Sequence, residues 1–460
     1  MRLSLARSAV VLAAATALTL SAGMPALASI HQPTPATHFY VPPAPDGFYV
    51  PPAPDGSRQQ IGRLIGQRDR KDAALIAKMV TTPQAVWFSG GTPRQVQQDV
   101  GRTMLEAGLQ HAVPTLVAYN LPYRDCGQYS AGGAAGTTAY KAWIDGLAKG
   151  IGRQKAIVIL EPDGLGLIPN YVSALDGSSN CTIAKDPSIP KGDAATPENR
   201  WTQLNYAVKA LEKNPNVSVY LDATHSGWQN VGESADRLVK AGVQRAEGFF
   251  LNVSNYQYTT NEVQYGNWVS ECVAYATVVS PGNYPANYKG CPDQYWNGGP
   301  LPTKIAQLLG EWQGVELSAY GEWSDTSENP ALNTSGLNAR YASMLGSVKP
   351  TTHFVIDTSR NGLGPWDWKA AGYTSAGTAQ DWCNPPGRGL GDRPAANPLP
   401  SNALLDAYLW VKTPGQSDGQ CNRGVAGTTD REWGNIVDPA AGAWFPQQAL
   451  QLVRLAKPVF

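Results

Sequence analysis

Seven short apolar runs alternate with helix-like stretches along this chain, and the alternation limits the folds that the chain can adopt. The runs are residues 85–88, 115–120, 157–160, 217–221, 248–253, 353–357 and 407–411. The stretches between them place apolar residues at helical spacing, as in residues 96–105, 201–212 and 235–246. Short runs that are apolar on both faces are typical of buried parallel strands joined by helical crossovers. The sequence therefore predicts an α/β domain built on a seven-stranded parallel sheet.

Polar and charged residues follow six of the seven runs. They include Asn120, Asp125, Asp163, Asp222, His225, Asn252, Asn255, Asp357, Arg360, Lys412 and Asp418. In a β/α barrel the carboxyl ends of the strands converge on one face and form the active site, whereas an open doubly wound sheet places its chemistry mainly at one switch point. Such groups at so many strand ends favour a closed, TIM-like barrel. The alternative is that these side chains only cap helices and pair with loop backbone.

The charge balance argues against nucleic acid and membrane surfaces as partners. Lys and Arg number 36, as do Asp and Glu, so the formal net charge is zero, whereas those partners reward clustered positive charge. Charged residues make up only 16% of a chain that holds 14 Trp and 20 Tyr. Such a surface suits an uncharged ligand covered in hydroxyl groups. No Gly-x-Gly-x-x-Gly phosphate loop follows a run, so we expect no cofactor. We also expect no acyl-serine chemistry.

The first residues of the chain predict an exported protein. Arg2 and Arg7 precede an apolar run over residues 9–20, and Ala26 and Ala28 supply small residues before a cleavage point. This pattern predicts a secretory signal peptide over residues 1–28 and a secreted, extracellular protein. A membrane anchor is the weaker alternative, because the run is short for a span of ~20 residues.

Residues 29–47 predict a Pro-rich lead or linker before one large barrel domain over residues 48–460. The nine residues 39–47 are repeated at residues 48–56. Tandem prolines favour an extended, semi-rigid spacer. The alternative is that one copy is the first extended segment of the domain and the other a duplication. We expect the protein to be a monomer.

An even number of cysteines in an exported chain predicts disulfides, and the sequence alone leaves their pairing open. The cysteines are Cys126, Cys181, Cys272, Cys291, Cys383 and Cys421. None of them forms a Cys-x-x-Cys motif and the five histidines are scattered, so we expect no metal site. The alternative hypothesis is that the aspartates at the strand ends bind a metal ion, but their spacing follows no regular ligand pattern.

Carboxylates dominate the predicted active face, together with tryptophans. Paired acids in an aromatic site are the usual apparatus for cleaving a glycosidic bond, and one acid must be held protonated. Asp163 has no cation beside it in sequence and suits the protonated acid, whereas Arg124 predicts that Asp125 stays ionised. Three tryptophans near strand ends can either bury the apolar face of a sugar ring or pack in the core. They are Trp87, Trp228 and Trp382.

Six segments resemble glycoside hydrolase family 6, the inverting cellulases of the cellobiohydrolase II type. The segments are residues 119–126, 158–164, 220–228, 252–256, 381–384 and 410–419. They occur in the order found in the family, and the resemblance spans roughly residues 48–460. It implies a distorted seven-stranded β/α barrel with long active-site loops. It also implies hydrolysis of β-1,4-glucosidic bonds in cellulose and cello-oligosaccharides.

The resemblance implies roles for individual residues. Asp163 would be the general acid, Asp125 would steer the pKa of that acid and relay a proton from water, and Asp418 would be the candidate direct base. Tyr119 would press on the distorted sugar, Ser130 would position water, and Asp222 is a further acid near the cleavage point. The implied sugar contacts are Trp87, Trp228, Trp382, Asn252, Asn255, His225, Arg360, Lys412 and Gln416. The last of these departs from the family, which commonly has Glu there.

The resemblance also pairs Cys126 with Cys181 and Cys383 with Cys421, which leaves Cys272 to pair with Cys291. About 100 residues separate Asn255 from Asp357, and this insertion carries the third pair. The tryptophans of the insertion are Trp268, Trp296, Trp312 and Trp323. Long loops resembling it roof the site into a tunnel in family members that act on chain ends. We therefore expect processive release of cellobiose; an endo-acting β-1,4-glucanase is the alternative, and a non-catalytic polysaccharide-binding protein is a weaker one.

Overall fold

A curled, mostly parallel sheet of eight strands forms the centre of the molecule. The computed structural model describes residues 47–182, 196–295 and 315–460. The strands are β1 Val86–Phe88, β2 Thr115–Ala118, β3 Ala156–Leu160, β4 Val217–Asp222, β5 Gly248–Leu251, β6 His353–Asp357, β7 Ala395–Ala396 and β8 Leu405–Leu409. Every predicted run contains a strand, and the seven strands from these runs pair in parallel in the order β1, β2, β3, β4, β5, β6, β8. The predicted α/β fold is confirmed.

The expected strand number and closure of the ring need correction. Strand β7 is an eighth, antiparallel strand whose residues pair with Ala407 and Tyr408 of β8. Within the described residues no ladder joins β8 to β1. Instead, the Ala85 amide donates to the Trp410 carbonyl at 2.9 Å and the Trp87 indole N–H donates to the Val411 carbonyl at 2.8 Å. These bonds join β1 to the residues just beyond β8, while β7 pairs with β8 itself.

Helices surround the sheet and fill its crossovers. They are α1 Asp55–Gly66, α2 Arg70–Val80, α3 Pro93–Leu109, α4 Thr137–Ile151, α5 Pro197–Leu211, α6 Val231–Ala241, α7 Thr259–Ala274, α8 Ala286–Lys289, α9 Ser335–Leu345, α10 Ala376–Ala379 and α11 Pro446–Arg454. A small antiparallel pair, β9 Thr429–Asp430 and β10 Ile436–Val437, lies outside the main sheet. The helix predicted at residues 235–246 begins four residues earlier, because Asn230 caps it, and ends before Gly242 in a left-handed conformation.

Alternate residues of the strands feed two separate cores. Val117 and Ile159 point into the barrel interior, whereas Leu116 and Val158 pack between the sheet and the helices. This alternation explains why the strands are apolar on both faces. Because side chains fill the interior of the described barrel, a ligand on the barrel axis finds room beyond the carboxyl ends of the strands.

The second copy of the duplicated segment belongs to the domain. Phe48 packs into the interior core and pairs with Val113, and the Tyr49 hydroxyl donates to Glu106 at 2.6 Å. Residues 1–46, with the predicted signal peptide and most of the predicted linker, lie outside the described residues. None of the helices that the structure describes has the length and hydropathy needed to cross a bilayer.

Three disulfides staple the loops of the barrel. They join Cys126 to Cys181, Cys272 to Cys291 and Cys383 to Cys421. The pairing implied by the resemblance is therefore confirmed. The first and third disulfides lie beside the predicted acids Asp125 and Asp418 in sequence, whereas the second ties α7 to the turn after α8.

Candidate active site

A cavity of about 680 Å³ opens at the carboxyl ends of the strands. Twelve of the predicted site residues line it. They are Asp125, Asp163, Asp418, Tyr119, Ser130, Trp87, Trp228, Trp382, Asn255, His225, Lys412 and Gln416. The strand ends that supply them lie far apart in sequence, so only the closure of the sheet brings them together.

The backbone is strained where several of these loops leave the strands. Asp125 has φ 57°, Asp163 has φ 61° and Ser254 has φ 61°. Residues other than glycine rarely adopt this left-handed region, which costs on the order of 1–3 kcal/mol for each residue. The surrounding packing must hold these conformations, and strain of this kind clusters at functional sites.

Asp163 is half-buried at the base of the cavity and is held as a neutral acid. Burial raises the pKa of its carboxyl well above the usual range, and the nearby carboxylates of Asp222, Asp125 and Asp418 raise it further. Lys412 opposes this shift only partly. The sequence analysis considered only the lack of a nearby cation. It therefore underestimated the rise in the pKa of Asp163, to which three other acids contribute.

Asp125 does not have the environment that its neighbour in sequence predicted. The Arg124 guanidinium donates instead to the carbonyls of Ser89, Tyr119 and Ser130 at 2.8, 2.5 and 2.8 Å. Burial raises the pKa of Asp125 to about 6, and the Ser130 amide at 2.7 Å and the charge of Arg124 only limit the rise. Asp125 is therefore a carboxyl that titrates near neutrality rather than one that is firmly ionised.

Asp418 has the opposite environment. Its carboxylate accepts from Arg360 at 2.9 Å, Lys412 at 3.1 Å, the Tyr256 hydroxyl at 3.0 Å and the Asn384 amide at 3.0 Å. Burial alone would raise the pKa of Asp418, but the charges of Arg360 and Lys412 outweigh it and lower the pKa to about 2. This carboxylate stays ionised at every ordinary pH.

Asp222, Asn252 and Arg360 lie beneath the cavity rather than in its wall. Each is buried, and Asp222 accepts from the amides of Leu165 and Gly166 at 3.0 and 3.1 Å. Asn252 donates through its side chain to the Asp357 carbonyl at 2.9 Å. Arg360 is bound to Asp418 and to the Ser254 carbonyl. The polar atoms of Asn252 and Arg360 hold loops and charges in place, and their expected sugar contacts stay predictions.

The three expected tryptophans line the cavity with aromatic or imidazole neighbours. Trp87 meets Tyr119 edge-on at 5.4 Å between centroids, and Trp228 lies 5.9 Å from the ring of His225. Burial lowers the pKa of His225 to about 3, so this imidazole is neutral and can only hydrogen-bond. The sequence analysis missed further lining residues, chiefly Tyr129, Tyr256, Gln257 and Trp366.

Two loops from distant strands meet at the cavity. Tyr129, after β2, accepts a hydrogen bond from the side-chain amide of Gln380 at 3.2 Å, and its ring lies 5.7 Å from Trp382 after β6. Gly419 allows a third loop to approach, since a Cβ there would stand 2.7 Å from the Cβ of Tyr129. These contacts join walls of the cavity that no strand pairing connects.

The described part of the insertion between Asn255 and Asp357 packs in the outer layer. Within its described part, residues from 258 onward do not line the cavity. Trp268 and Trp323 are buried and stack on each other at 5.7 Å in the core outside the barrel. Trp296 and Trp312 lie outside the described residues. The described insertion therefore thickens the outer layer.

A group of donors that could hold a metal lies at the other end of the barrel. Glu247, His353 and Asp406 place ligand atoms within 4.8 Å of one another. They sit at the amino ends of β5, β6 and β8, and the His353 ring is already bonded to Asp406 at 2.7 Å. Tyr220 donates to the same carboxylate at 2.7 Å. His353 and Tyr220 thus already bind Asp406, and none of these residues lines the cavity.

Comparisons with known proteins agree with this geometry. A sequence profile described as glycosyl hydrolases family 6 matches residues 44–456. Endoglucanase A of Cellulomonas fimi is 30% identical over 426 residues, which are 92% of this chain and 63% of that enzyme. A probable 1,4-β-D-glucan cellobiohydrolase C of Neosartorya fischeri is 30% identical over 367 residues, 75% of this chain and 62% of that protein. The chain thus spans less than two thirds of either relative.

A solved structure extends the likeness to three dimensions. The endoglucanase Cel6 of Mycobacterium tuberculosis, in complex with methyl-cellobiosyl-4-deoxy-4-thio-β-D-cellobioside, is 28% identical with a TM-score of 0.56. The match covers 90% of this chain and 98% of that one. Because the family profile spans almost the whole domain and the fold agrees, the chain belongs to family 6 of the glycosyl hydrolases.

Proposed function

We propose that this protein is a cellulase that hydrolyses β-1,4-glucosidic bonds with inversion at the anomeric carbon. One observation carries the proposal: three carboxyls of one tryptophan-lined cavity have their pKa values driven apart. An acid held neutral beside a carboxylate that can take a proton is what glycoside hydrolysis requires. Relatives named as endoglucanase and cellobiohydrolase support the choice of substrate.

Each carboxyl suits a different step. Asp163, kept neutral, donates its proton to the leaving glycosidic oxygen. Asp125, with a pKa of about 6, accepts a proton from the attacking water, and Ser130 beside it helps to position that water. A general base works best when its pKa lies near the working pH. Asp418, with a pKa of about 2, is therefore a poor base and instead anchors Lys412 and the sugar beside it.

The proposal is tested with amorphous cellulose and with the Asp163→Asn variant. We expect soluble cello-oligosaccharides from the natural protein and about 1,000-fold lower kcat from the variant, because the amide has no acidic proton to donate. NMR of the first product should show the α-anomer. Binding of cellulose without sugar release would favour a polysaccharide-binding protein, and unchanged hydrolysis by the variant would remove Asp163 from its role.

We further propose that cleavage releases cellobiose from chain ends, with the polymer enclosed by the loops that meet at Tyr129. The hydrogen bond from Gln380 and the ring contact with Trp382 support this enclosure. Endo-cleavage is the second candidate, and two observations favour it. The described insertion does not line the cavity, and Endoglucanase A is among the relatives.

Viscosity loss measured against sugar release on a soluble cellulose separates the two modes. Chain-end action predicts slow viscosity loss for each bond cleaved. The Tyr129→Ala variant should shift the ratio toward random cleavage because it opens the enclosure, whereas Tyr129→Phe keeps the ring contact and should shift it less. Rapid viscosity loss by the natural protein would establish endo-action instead.

We also propose that the protein is secreted after cleavage of residues 1–28 and acts as a monomer. The three disulfides support an oxidising compartment. Sequencing of the amino terminus of the mature protein and light scattering would test the two statements.

A further inference from the structure

Asn384 occupies the centre of a buried network behind Asp418. The residue is fully buried and follows Cys383 of the third disulfide. Its backbone amide donates to the Asp418 carboxylate at 3.0 Å, while its side-chain oxygen accepts from the Asp418 amide at 2.8 Å. The two residues therefore bind each other reciprocally, through backbone and side chain at once.

The side-chain amide of Asn384 has a fixed orientation. Its nitrogen donates to Asp438 at 2.8 Å, Ser417 Oγ at 2.9 Å and the Gly419 carbonyl at 3.0 Å. Its oxygen accepts from Gln448 at 3.1 Å as well as from Asp418. Since all donors lie on one side and all acceptors on the other, the amide cannot turn over without breaking these bonds.

The backbone of Asn384 is equally constrained. It adopts φ 41°, a left-handed conformation that Asn tolerates better than most residues. Its carbonyl accepts from Arg423 at 3.0 Å and from the Trp433 indole at 2.8 Å. Asn384 does not line the cavity, so contact with a substrate does not explain why it makes so many hydrogen bonds.

We propose that Asn384 is a positioning residue that sets the orientation of the Asp418 carboxylate, and that Asp438 in turn holds the side chain of Asn384. This inference rests on the proposed hydrolysis and names a further residue for it. Asn384 does not touch the substrate. It acts by fixing the carboxylate that anchors Lys412 and Arg360.

The charged groups around Asp438 support the proposal that Asp438 holds the side chain of Asn384. Asp438 is buried, and its carboxyl faces Asp430, Arg423 and the amide of Asn384. Burial and the charge of Asp430 raise its pKa, while Asn384 and Arg423 oppose the rise. The sulfur of Cys421, which lies within 4.8 Å, is in a disulfide and does not titrate.

The first variant is Asn384→Asp, which keeps the shape and tolerates the left-handed backbone. At acid pH one proton shared with Asp438 restores the lost donor. At higher pH two carboxylates face each other and repel. Relative to the natural protein at the same pH, we expect kcat to be retained at about pH 4–5 and to be about 100-fold lower at pH 7, with KM little changed, because misplacing an active-site group by ~1 Å has a cost of this size.

The second variant, Asn384→Asp with Asp438→Asn, exchanges donor and acceptor without changing the total charge. It should restore part of kcat at pH 7, because the amide introduced at position 438 can donate to the new carboxylate, while the Gly419 carbonyl still lacks its donor. A matched control is Asn261→Asp, since Asn261 is also buried and ties a loop through the Trp323 amide at 2.8 Å and the Gly321 carbonyl at 3.0 Å. That variant should lower Tm but leave the pH profile of kcat unchanged.

Hydrogen exchange at the Asp418 amide provides a readout that does not need activity. It should accelerate in Asn384→Asp at pH 7 and return toward the natural rate in the double variant. Unchanged exchange and an unchanged pH profile in Asn384→Asp would overturn the role of Asn384. A folded double variant without recovery would overturn the role of Asp438. Failure of the natural protein to cleave any β-1,4-glucan would refute the proposed function, while exchange would still decide this inference.

Discussion

At the scale of single residues, the environment rather than the residue type distinguishes the three aspartates of the cavity. Asp163 lies among other acids, Asp125 is half-buried with one backbone donor, and Asp418 contacts two cations. The sequence predicted Asp163 as the protonated acid because no cation neighbours it, and the raised pKa of this carboxyl supports that prediction. It predicted that Arg124 keeps Asp125 ionised, but the Arg124 guanidinium bonds to backbone carbonyls and its charge only limits the rise in the pKa of Asp125.

The pH dependence of kcat/KM should follow from these environments. Asp125 must be ionised to accept a proton, so activity should rise as pH increases through about 6. Asp163 must be protonated, so activity should fall as pH rises through its raised pKa. Because the charge of Asp125 helps to raise the pKa of Asp163, Asp125→Asn should move the alkaline fall to lower pH. A profile with a soluble cello-oligosaccharide checks both limbs; an alkaline limb that does not move in the variant would contradict the coupling.

Removal of Arg360, one of the two cations that contact Asp418, should lower the free energy of unfolding. Arg360→Met leaves a buried carboxylate with Lys412 as its remaining cation, and we expect a loss of about 3–5 kcal/mol in the free energy of unfolding. Urea denaturation measures it. The control is Arg102→Met, since the pair of Arg102 with Asp99 is 69% and 54% exposed and should contribute little. Equal effects of the two variants would contradict the prediction.

At the scale of elements, strands could be predicted and loop packing could not. The runs that became β3 and β6 are apolar because both faces of each strand are buried, and this leaves a direct record in sequence. Strand β7 is two residues long and half-buried, so it leaves no such record. The insertion was expected over the cavity, yet Trp268 and Trp323 pack outward, because tryptophans in a core and in a roof look alike in sequence.

Loss of the second and of the third disulfide should have different effects on kcat, although both should lower stability. Replacing Cys272 and Cys291 by serine opens a loop of 19 residues and should lower stability by about 3 kcal/mol without changing kcat. Replacing Cys383 and Cys421, separated by 38 residues, should lower it by about 4 kcal/mol and also lower kcat, because the pair flanks Asn384 and Asp418. Thermal unfolding and kinetics of both double variants test this prediction. Equal kcat values would show that the third disulfide does not support the active site.

At the scale of the whole molecule, burial keeps many carboxyls neutral. At the amino end of the barrel, burial raises the pKa of Glu212 to about 8 and that of Glu247 to about 9, the latter with help from Asp406. A zero net charge therefore hides acids that ionise only at high pH. This feature gives the fold a stability that depends on pH.

Stability should fall as the solution becomes alkaline. A carboxyl whose folded pKa is raised contributes stability below its unfolded pKa of about 4.5, and loses it as pH rises through the folded value. Between pH 6 and 9 we expect Glu247 alone to account for a loss on the order of 4 kcal/mol, since one pKa unit corresponds to about 1.4 kcal/mol. Urea unfolding at several pH values should show a shallower decline in Glu247→Gln. Parallel declines in both proteins would contradict this assignment.

The sequence by itself determined the class of fold, the order of the strands along the chain and the acids worth testing, because buried strands and polar strand ends leave local patterns. Only the tertiary structure decided which of those polar groups share a cavity. Asn252 and Arg360 follow strands as Asp163 does, yet they lie beneath the cavity. The tertiary structure alone also showed that Asn384 contacts Asp418 and Asp438, which are 34 and 54 residues away in sequence. Contacts at such separations depend on how the loops pack over the closed sheet, and no local pattern in the chain records that packing.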